Sequence, residues 1–177
     1  MRSIDMQRLN VVELDTPVGP VTLVAGAKGL CALDFADRRD HVRRNLERRF
    51  GPVELQRQST LPGIVENVQA YMAGDLRALG RVPVDPGGTP FQQRVWTELR
   101  RIPPGATLSY GELARAVGRP GAGRAVGMAN ARNPIAIVIP CHRVIGADGS
   151  LCGYAGGVTR KQWLLNHERR WASAVVG

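Results

Sequence analysis

Acidic residues are scarce in the second half of this 177-residue sequence. Residues 87–177 carry 12 basic side chains but only four acids, Glu98, Glu112, Asp148 and Glu168, a balance of +8. Residues 1–86 carry 12 basic and 11 acidic side chains, a balance of +1. So lopsided a half predicts a polyanionic partner such as nucleic acid or a membrane surface. Lysine is also rare, with Lys28 and Lys161 the only two, so the positive charge is guanidinium, which suits bidentate phosphate contacts. Three cysteines, Cys31, Cys141 and Cys152, are too few and odd in number for a disulfide framework. The N-terminal MRSIDMQRLNVVELD has no apolar h-region, so the expected setting is the reducing cytoplasm. No apolar run approaches the roughly 18 to 20 residues of a membrane helix; Ile135–Ile139 is typical. What is present, 44% hydrophobic and 22% charged residues, belongs to a globular chain of one ordinary domain or two small ones.

Three β-favouring runs, Val11–Leu14, Val21–Ala25 and Leu30–Phe35, are separated by turn signals and predict a small antiparallel sheet. Asp40–Phe50 places Val42, Leu46 and Phe50 at helical spacing, ringed by Arg38, Arg39, Arg43, Arg44, Arg48 and Arg49. That ring reads as a solvated face rather than a DNA patch. Leu61–Ala73 is a second helix candidate, and residues 80–90 form the best linker, which divides the chain into 1–86 and 87–177. Thr89-Pro90-Phe91-Gln92 supplies an N-cap, a first-turn proline and a capping-box glutamine, predicting a helix from Pro90 to Arg101.

Ser109-Tyr110-Gly111-Glu112 repeats the capping pattern before a short helix. Gly118-Arg119-Pro120-Gly121 breaks it, and a second helix spans Ala122 to Ala131 with Arg124 near its start. Two short helices on a tight glycine turn fit a helix-turn-helix, though buried helical hairpins share the pattern. Ile135–Ile139 is expected as a short buried strand, set off by Asn133-Pro134 and ending in Pro140-Cys141-His142-Arg143. A cysteine there, beside a histidine and an arginine, is either an activated nucleophile or a buried thiol with solvated neighbours. Cys31 is expected in the core, and Cys152 as a packing thiol or a neighbour of the site. A final helix puts Trp163, Leu164 and His167 on one face, with Glu168 beside them as a candidate partner for His142.

FQQRVW, SYGELA, GRAVGMANARNPIAIVIPCHRVIG, GYAGGVTRKQWLL and NHE, in this order, closely resemble the O6-alkylguanine-DNA alkyltransferases, the methylated-DNA–protein-cysteine methyltransferases. The resemblance covers about residues 90–168, and TPVGPVTLVAGAKGLCALDF looks like the family's first domain. It implies an α+β protein. The N-terminal domain would be a ribonuclease-H-like antiparallel sheet with helices. The C-terminal DNA-binding and alkyl-acceptor domain would be mainly helical, with the helix-turn-helix. The implied activity is stoichiometric, irreversible transfer of the alkyl group of O6-alkylguanine in duplex DNA to Cys141 after base flipping. His142 would take the thiol proton through a water, Glu168 would orient the imidazole, and Asn133 would brace the turn that presents the cysteine. Tyr110 would support base rotation and proton delivery, Arg124 would enter the duplex, and Gly111 and Arg119 would approach the DNA backbone. Tyr154 would wall the guanine pocket, where Ala155 replaces a serine that some members carry. No cofactor is implied. Zinc-binding relatives need a ligand cluster, and the N-terminal region offers only Cys31 and His41, so no metal is expected. The expected partner is double-stranded DNA and not a membrane, with the protein monomeric in solution and assembly of several copies along DNA left open. Two other classes remain on the residues alone: a helix-turn-helix protein without chemistry, and a Cys-His hydrolase.

Overall fold

The computed structural model describes residues 5–151 and 153–175, so Cys152 lies outside the described residues. Strands β1 (Gln7–Leu14), β2 (Val21–Gly26) and β3 (Gly29–Phe35) form the expected antiparallel meander. Helix α1 (Arg39–Phe50) then carries the chain across one face of the sheet to its other edge. There β4 (Val53–Arg57) pairs parallel with β1, giving the order β3-β2-β1-β4 and a mixed sheet rather than a purely antiparallel one. β4 leaves little trace in the sequence because only Val53 is buried along it, so no alternation betrays it.

Both faces of the sheet are covered. Val42 and Leu46 of α1 pack on Leu9, Val11, Val24 and Ala32. On the opposite face Val12, Leu23, Leu33 and Phe35 join one core with Val95, Leu99, Leu113, Val126 and Leu164. Each such side chain, fully buried, contributes about 1.5–3 kcal/mol. This core runs through both halves of the chain.

Helix α2 (Val65–Met72) is shorter than expected, and α3 (Pro90–Arg101) begins at the complete capping box of Thr89 and Gln92. Strand β5 (Leu108–Ser109) leads into α4 (Tyr110–Ala116), capped by Ser109 Oγ, which accepts from the Glu112 N–H at 3.1 Å. Helix α5 (Gly123–Ala131), strand β6 (Val144–Ile145), parallel to β5, and helix α6 (Val158–Val175) complete the chain. No helix among the described residues is long and apolar enough to cross a membrane.

The outer edge of β3 is stitched rather than free. Leu30 N–H donates to the Pro83 carbonyl (2.9 Å) and Asp85 N–H to the Leu30 carbonyl (2.8 Å). Further along, Leu33 N–H donates to Pro134 O (3.1 Å) and Ala136 N–H to Leu33 O (2.9 Å). The run Ile135–Ile139 therefore is not the expected strand. Only Ile135 bridges to β3; the rest folds into tight turns, with Val138 N–H on Ala136 O (2.8 Å), Ile139 N–H on Ile135 O (3.0 Å) and Cys141 N–H on Ile139 O (2.8 Å). Ile137 sits at φ 70°, a left-handed conformation that costs a β-branched residue about 1–3 kcal/mol. A short apolar run reports burial, and burial here serves a turn.

Candidate active site

Cys141 opens a single 3-10 turn, Cys141–Arg143, at the end of that apolar segment. Asn133 clamps the segment from both sides: its Nδ2 donates to Ile139 O at 2.7 Å, and its Oδ1 accepts from Ile135 N–H at 3.0 Å. The strained Ile137 lies inside this clamp. Burial pushes the Cys141 thiol up to about 11, against the opposing pull of Asn133 and Lys161. At neutral pH the protonated thiol predominates. The resting site therefore holds a thiol, and a nucleophile requires a base.

Behind it lies a fully buried charge network. His142 and Glu168 are both 0% exposed, and His142 Nε2 meets Glu168 Oε1 at 2.7 Å. Burial alone would raise the Glu168 carboxyl, but His142 and Arg143 outweigh it and hold the group well below the ordinary carboxylate range. Ionised, Glu168 can only accept, so Nε2 carries the ring proton and Nδ1 keeps its lone pair. Nδ1 is buried and has no hydrogen-bond partner among the described residues. Burial also pushes the His142 pKa down, against the pull of Glu168, so the imidazole is neutral near pH 7. Arg143 forks onto the same carboxylate, with Nε at 3.1 and 2.9 Å from its two oxygens and Nη2 at 2.8 Å from Oε1, and spends Nη1 on Ile102 O at 2.7 Å. Tyr71 Oη donates to Oε1 at 2.9 Å. The alternative of a buried thiol with solvated neighbours is thereby overturned, since His142 and Arg143 are both buried.

Cys141 faces a small pocket of about 20 Å³, roomy enough for a water and no more. Tyr154 and Ala155 line it, as the sequence suggested, together with Asn130, Asn133 and Gly156. Tyr154 is held edge-on to Phe35 (centroids 6.5 Å apart), and its buried Oη has no partner among the described residues. Tyr110 stands next to the pocket: a Cβ on Gly153 would lie 2.9 Å from its Oη, and one on Gly127 3.6 Å from its ring. The structure thus brings Cys141, His142, Glu168, Asn133, Tyr154 and Ala155 together, with Tyr110 alongside. Arg124, Gly111 and Arg119 are not in the pocket. They are exposed at the starts of α5 and α4 and in the turn between them, where Arg119 lies 5.3 Å over the Phe91 ring.

Several members of the site were not singled out from sequence. Arg143 and Tyr71 hold Glu168, Asn130 Nδ2 reaches Cys141 O at 3.5 Å, and Lys161, 0% exposed, donates to Val144 O at 2.5 Å. A buried lysine in a chain whose other cations, Lys28 apart, are all arginine was a usable signal. The N-terminal half contributes as well: Asp34, Arg38 and His41 line the pocket, and Arg38 Nε donates to Asp34 Oδ2 at 3.0 Å. Arg38 is therefore not part of a purely solvated arginine face. Among the described residues no three His, Cys, Asp or Glu side chains are grouped to hold a metal ion.

Two domain profiles match the chain: the ribonuclease-like domain of 6-O-methylguanine DNA methyltransferase over residues 13–86, and its DNA binding domain over residues 90–170. A methylated-DNA–protein-cysteine methyltransferase of Salmonella typhimurium is 45% identical over 166 residues, 92% of this chain and 97% of its own. One from Mycobacterium tuberculosis is 46% identical over 164 residues, 91% and 93% of the two chains. The crystal structure of the M. tuberculosis O6-methylguanine methyltransferase superposes with a TM-score of 0.71 at 41% identity, covering 92% of this chain and 93% of that one. A structure of the M. tuberculosis protein in complex with DNA superposes with a TM-score of 0.71 at 43% identity, covering 93% and 94%.

Proposed function

The chain belongs to the 6-O-methylguanine DNA methyltransferase family, and on that premise we propose that Cys141 is the residue that accepts the alkyl group from O6-alkylguanine. Its activity is that of a methylated-DNA–protein-cysteine methyltransferase, and DNA is its partner. The observation that carries the assignment to Cys141 is the wholly buried hydrogen-bonded pair of His142, in the same turn, and Glu168 of α6, with the Nδ1 lone pair unpartnered among the described residues.

In the proposed reaction the Cys141 proton passes through a water to His142 Nδ1, and Glu168 balances the imidazolium that forms. The sulfur then attacks the alkyl carbon in line. The S–C bond forms as the C–O6 bond breaks, its electron pair leaves with the guanine, and Tyr110 supplies the proton that neutralises the base. The product thioether has no ready leaving group, so each molecule acts once. O6 faces the major groove of a stacked duplex, and a thiol clamped in the Asn133 turn cannot reach it there. The nucleotide must flip out, at a cost of a few kcal/mol that Arg124 offsets by filling the gap, while Gly111 and Arg119 meet the backbone. A pocket of about 20 Å³ is far too small for a purine, so the 153–157 segment that carries Tyr154 and Ala155 moves aside on base binding.

The test is mass spectrometry after incubation with a duplex containing one O6-methylguanine. One methyl group is expected on the peptide containing Cys141, none in Cys141→Ser, and no turnover beyond one equivalent. A methyl group elsewhere, or none at all, refutes the assignment.

A further inference from the structure

A second and larger cleft, of about 570 Å³, lies between α1 and the end of α5 and shares Asp34, His41, Ala131 and Asn133 with the acceptor pocket as a common wall. Val42 and Leu46 of α1 and Trp96 of α3 give it an apolar floor, and Arg48, Arg49 and Arg132 stand around it. Its charges do not cancel. Asp34 is taken by Arg38 (3.0 Å) and Arg49 by Asp85 (2.9 Å). Arg48 has only the neutral Asn45 Oδ1, at 3.3 Å, and neither Arg48 nor Arg132 forms a salt bridge among the described residues. Both are exposed.

The position of the cleft constrains what fills it. Helix α5 has a cation near its start, Arg124, and another just past its end, Arg132, about 12 Å apart along a helix. The acceptor pocket lies at the Arg132 end, where Asn130 and Ala131 line it. A flipped nucleotide stays bonded to both its neighbours, so its strand has to run past the mouth of that pocket. On the α1 side, the surface it would run along is this cleft. We propose that the cleft binds the sugar-phosphate backbone of the lesion-bearing strand on one side of the flipped nucleotide, with Arg48 and Arg132 on phosphate oxygens. This inference rests on the acceptor reading of Cys141. It gives the N-terminal half a direct part in holding DNA and draws the arginine helix α1 into the interface.

The experiment measures duplex affinity against salt for a duplex carrying O6-methylguanine, in a Cys141→Ser background that leaves the lesion unconsumed, with wild-type arginines, Arg48→Ala, Arg132→Ala and Arg57→Ala. Arg57 is an exposed control on β4, at the opposite sheet edge from β3. Each lost phosphate contact lowers the slope of log K against log salt by about 0.9. Between 50 and 200 mM salt, affinity with wild-type arginines should therefore fall about three- to fourfold further than that of Arg48→Ala or Arg132→Ala. Arg57→Ala should match the wild-type arginines. A second arm uses duplexes that end one nucleotide beyond the lesion, on the 5′ or the 3′ side. The Arg48→Ala penalty should vanish on one truncation and persist on the other. Slopes equal to that of Arg57→Ala, or a penalty that survives both truncations, overturn the proposal. If wild-type protein acquires no methyl group at Cys141, the acceptor reading fails instead and this proposal falls with it.

Discussion

Replacing Arg143 with methionine is expected to destabilise the fold by about 3–5 kcal/mol, the usual consequence of stripping one partner from a buried ion pair. The structure sets the size of the loss. Arg143 makes three of the short contacts to the Glu168 carboxylate, and its fourth bond, to Ile102 O, leaves a buried carbonyl unpaired when it goes. Tyr71 and His142 still face the carboxylate, which keeps the estimate within that range. For a chain of this size the change corresponds to a fall in Tm of about 6–20 °C. Urea denaturation of wild type, Arg143→Met, Glu168→Gln and the double variant forms a cycle that isolates the pair. The double variant should lose less than the sum of the singles, because it leaves no uncompensated charge. Arg143 also lowers the His142 pKa, so the acid limb of the methyl-transfer rate should move to higher pH in Arg143→Met. A single-variant loss under about 1 kcal/mol, or additivity within about 0.5 kcal/mol, would refute the view that one arginine neutralises this carboxylate.

Acid should unfold the protein through the same cluster. His142 and Glu168 both have folded pKa values below their ordinary 6.5 and 4.5, so the unfolded chain binds more protons; stability should decline below pH 6.5 and again below pH 4.5. A urea midpoint that stays flat between about pH 7 and 5 would remove the buried neutral imidazole. In Gly156→Ala, the new Cβ would lie 2.5 Å from Phe35 Cε2 and 2.9 Å from Tyr154 Cε1, so the ring that walls the pocket must shift. Single-turnover transfer should slow by about 10- to 100-fold; a rate within twofold of wild type would mean that the wall does not position the base.

Much of the site's local scaffolding was legible in the sequence, because local chemistry dictates it. Thr89 and Gln92 announce α3 through their own side chains, and Ser109 announces α4 in the same way. The cysteine motif was legible through family resemblance and not through periodicity, which gave a strand where the chain makes turns. The rest depends on contacts that no window of sequence contains. Tyr71 reaches Glu168 from 97 residues away, and Asp34 and Arg38 reach the pocket from the other half of the chain. Arg143 looked like a solvated neighbour because its anion lies on another helix. Ile137 at positive φ contradicts its own preference, and only the clamp of Asn133 and β3 explains why it stays there.

The stitched edge of β3 also sets an order of events during synthesis. Leu33 pairs with a segment made roughly a hundred residues later, so the turn that presents Cys141 closes one of the longest loops in the fold and is among the last features to form. Until then a nascent chain shows an open, apolar strand edge, the form most prone to pairing with another copy. Residues 83–85, which emerge first, cover half of that edge in advance. The acceptor segment then completes the cover, so a chain that has built its reactive cysteine has also closed this edge.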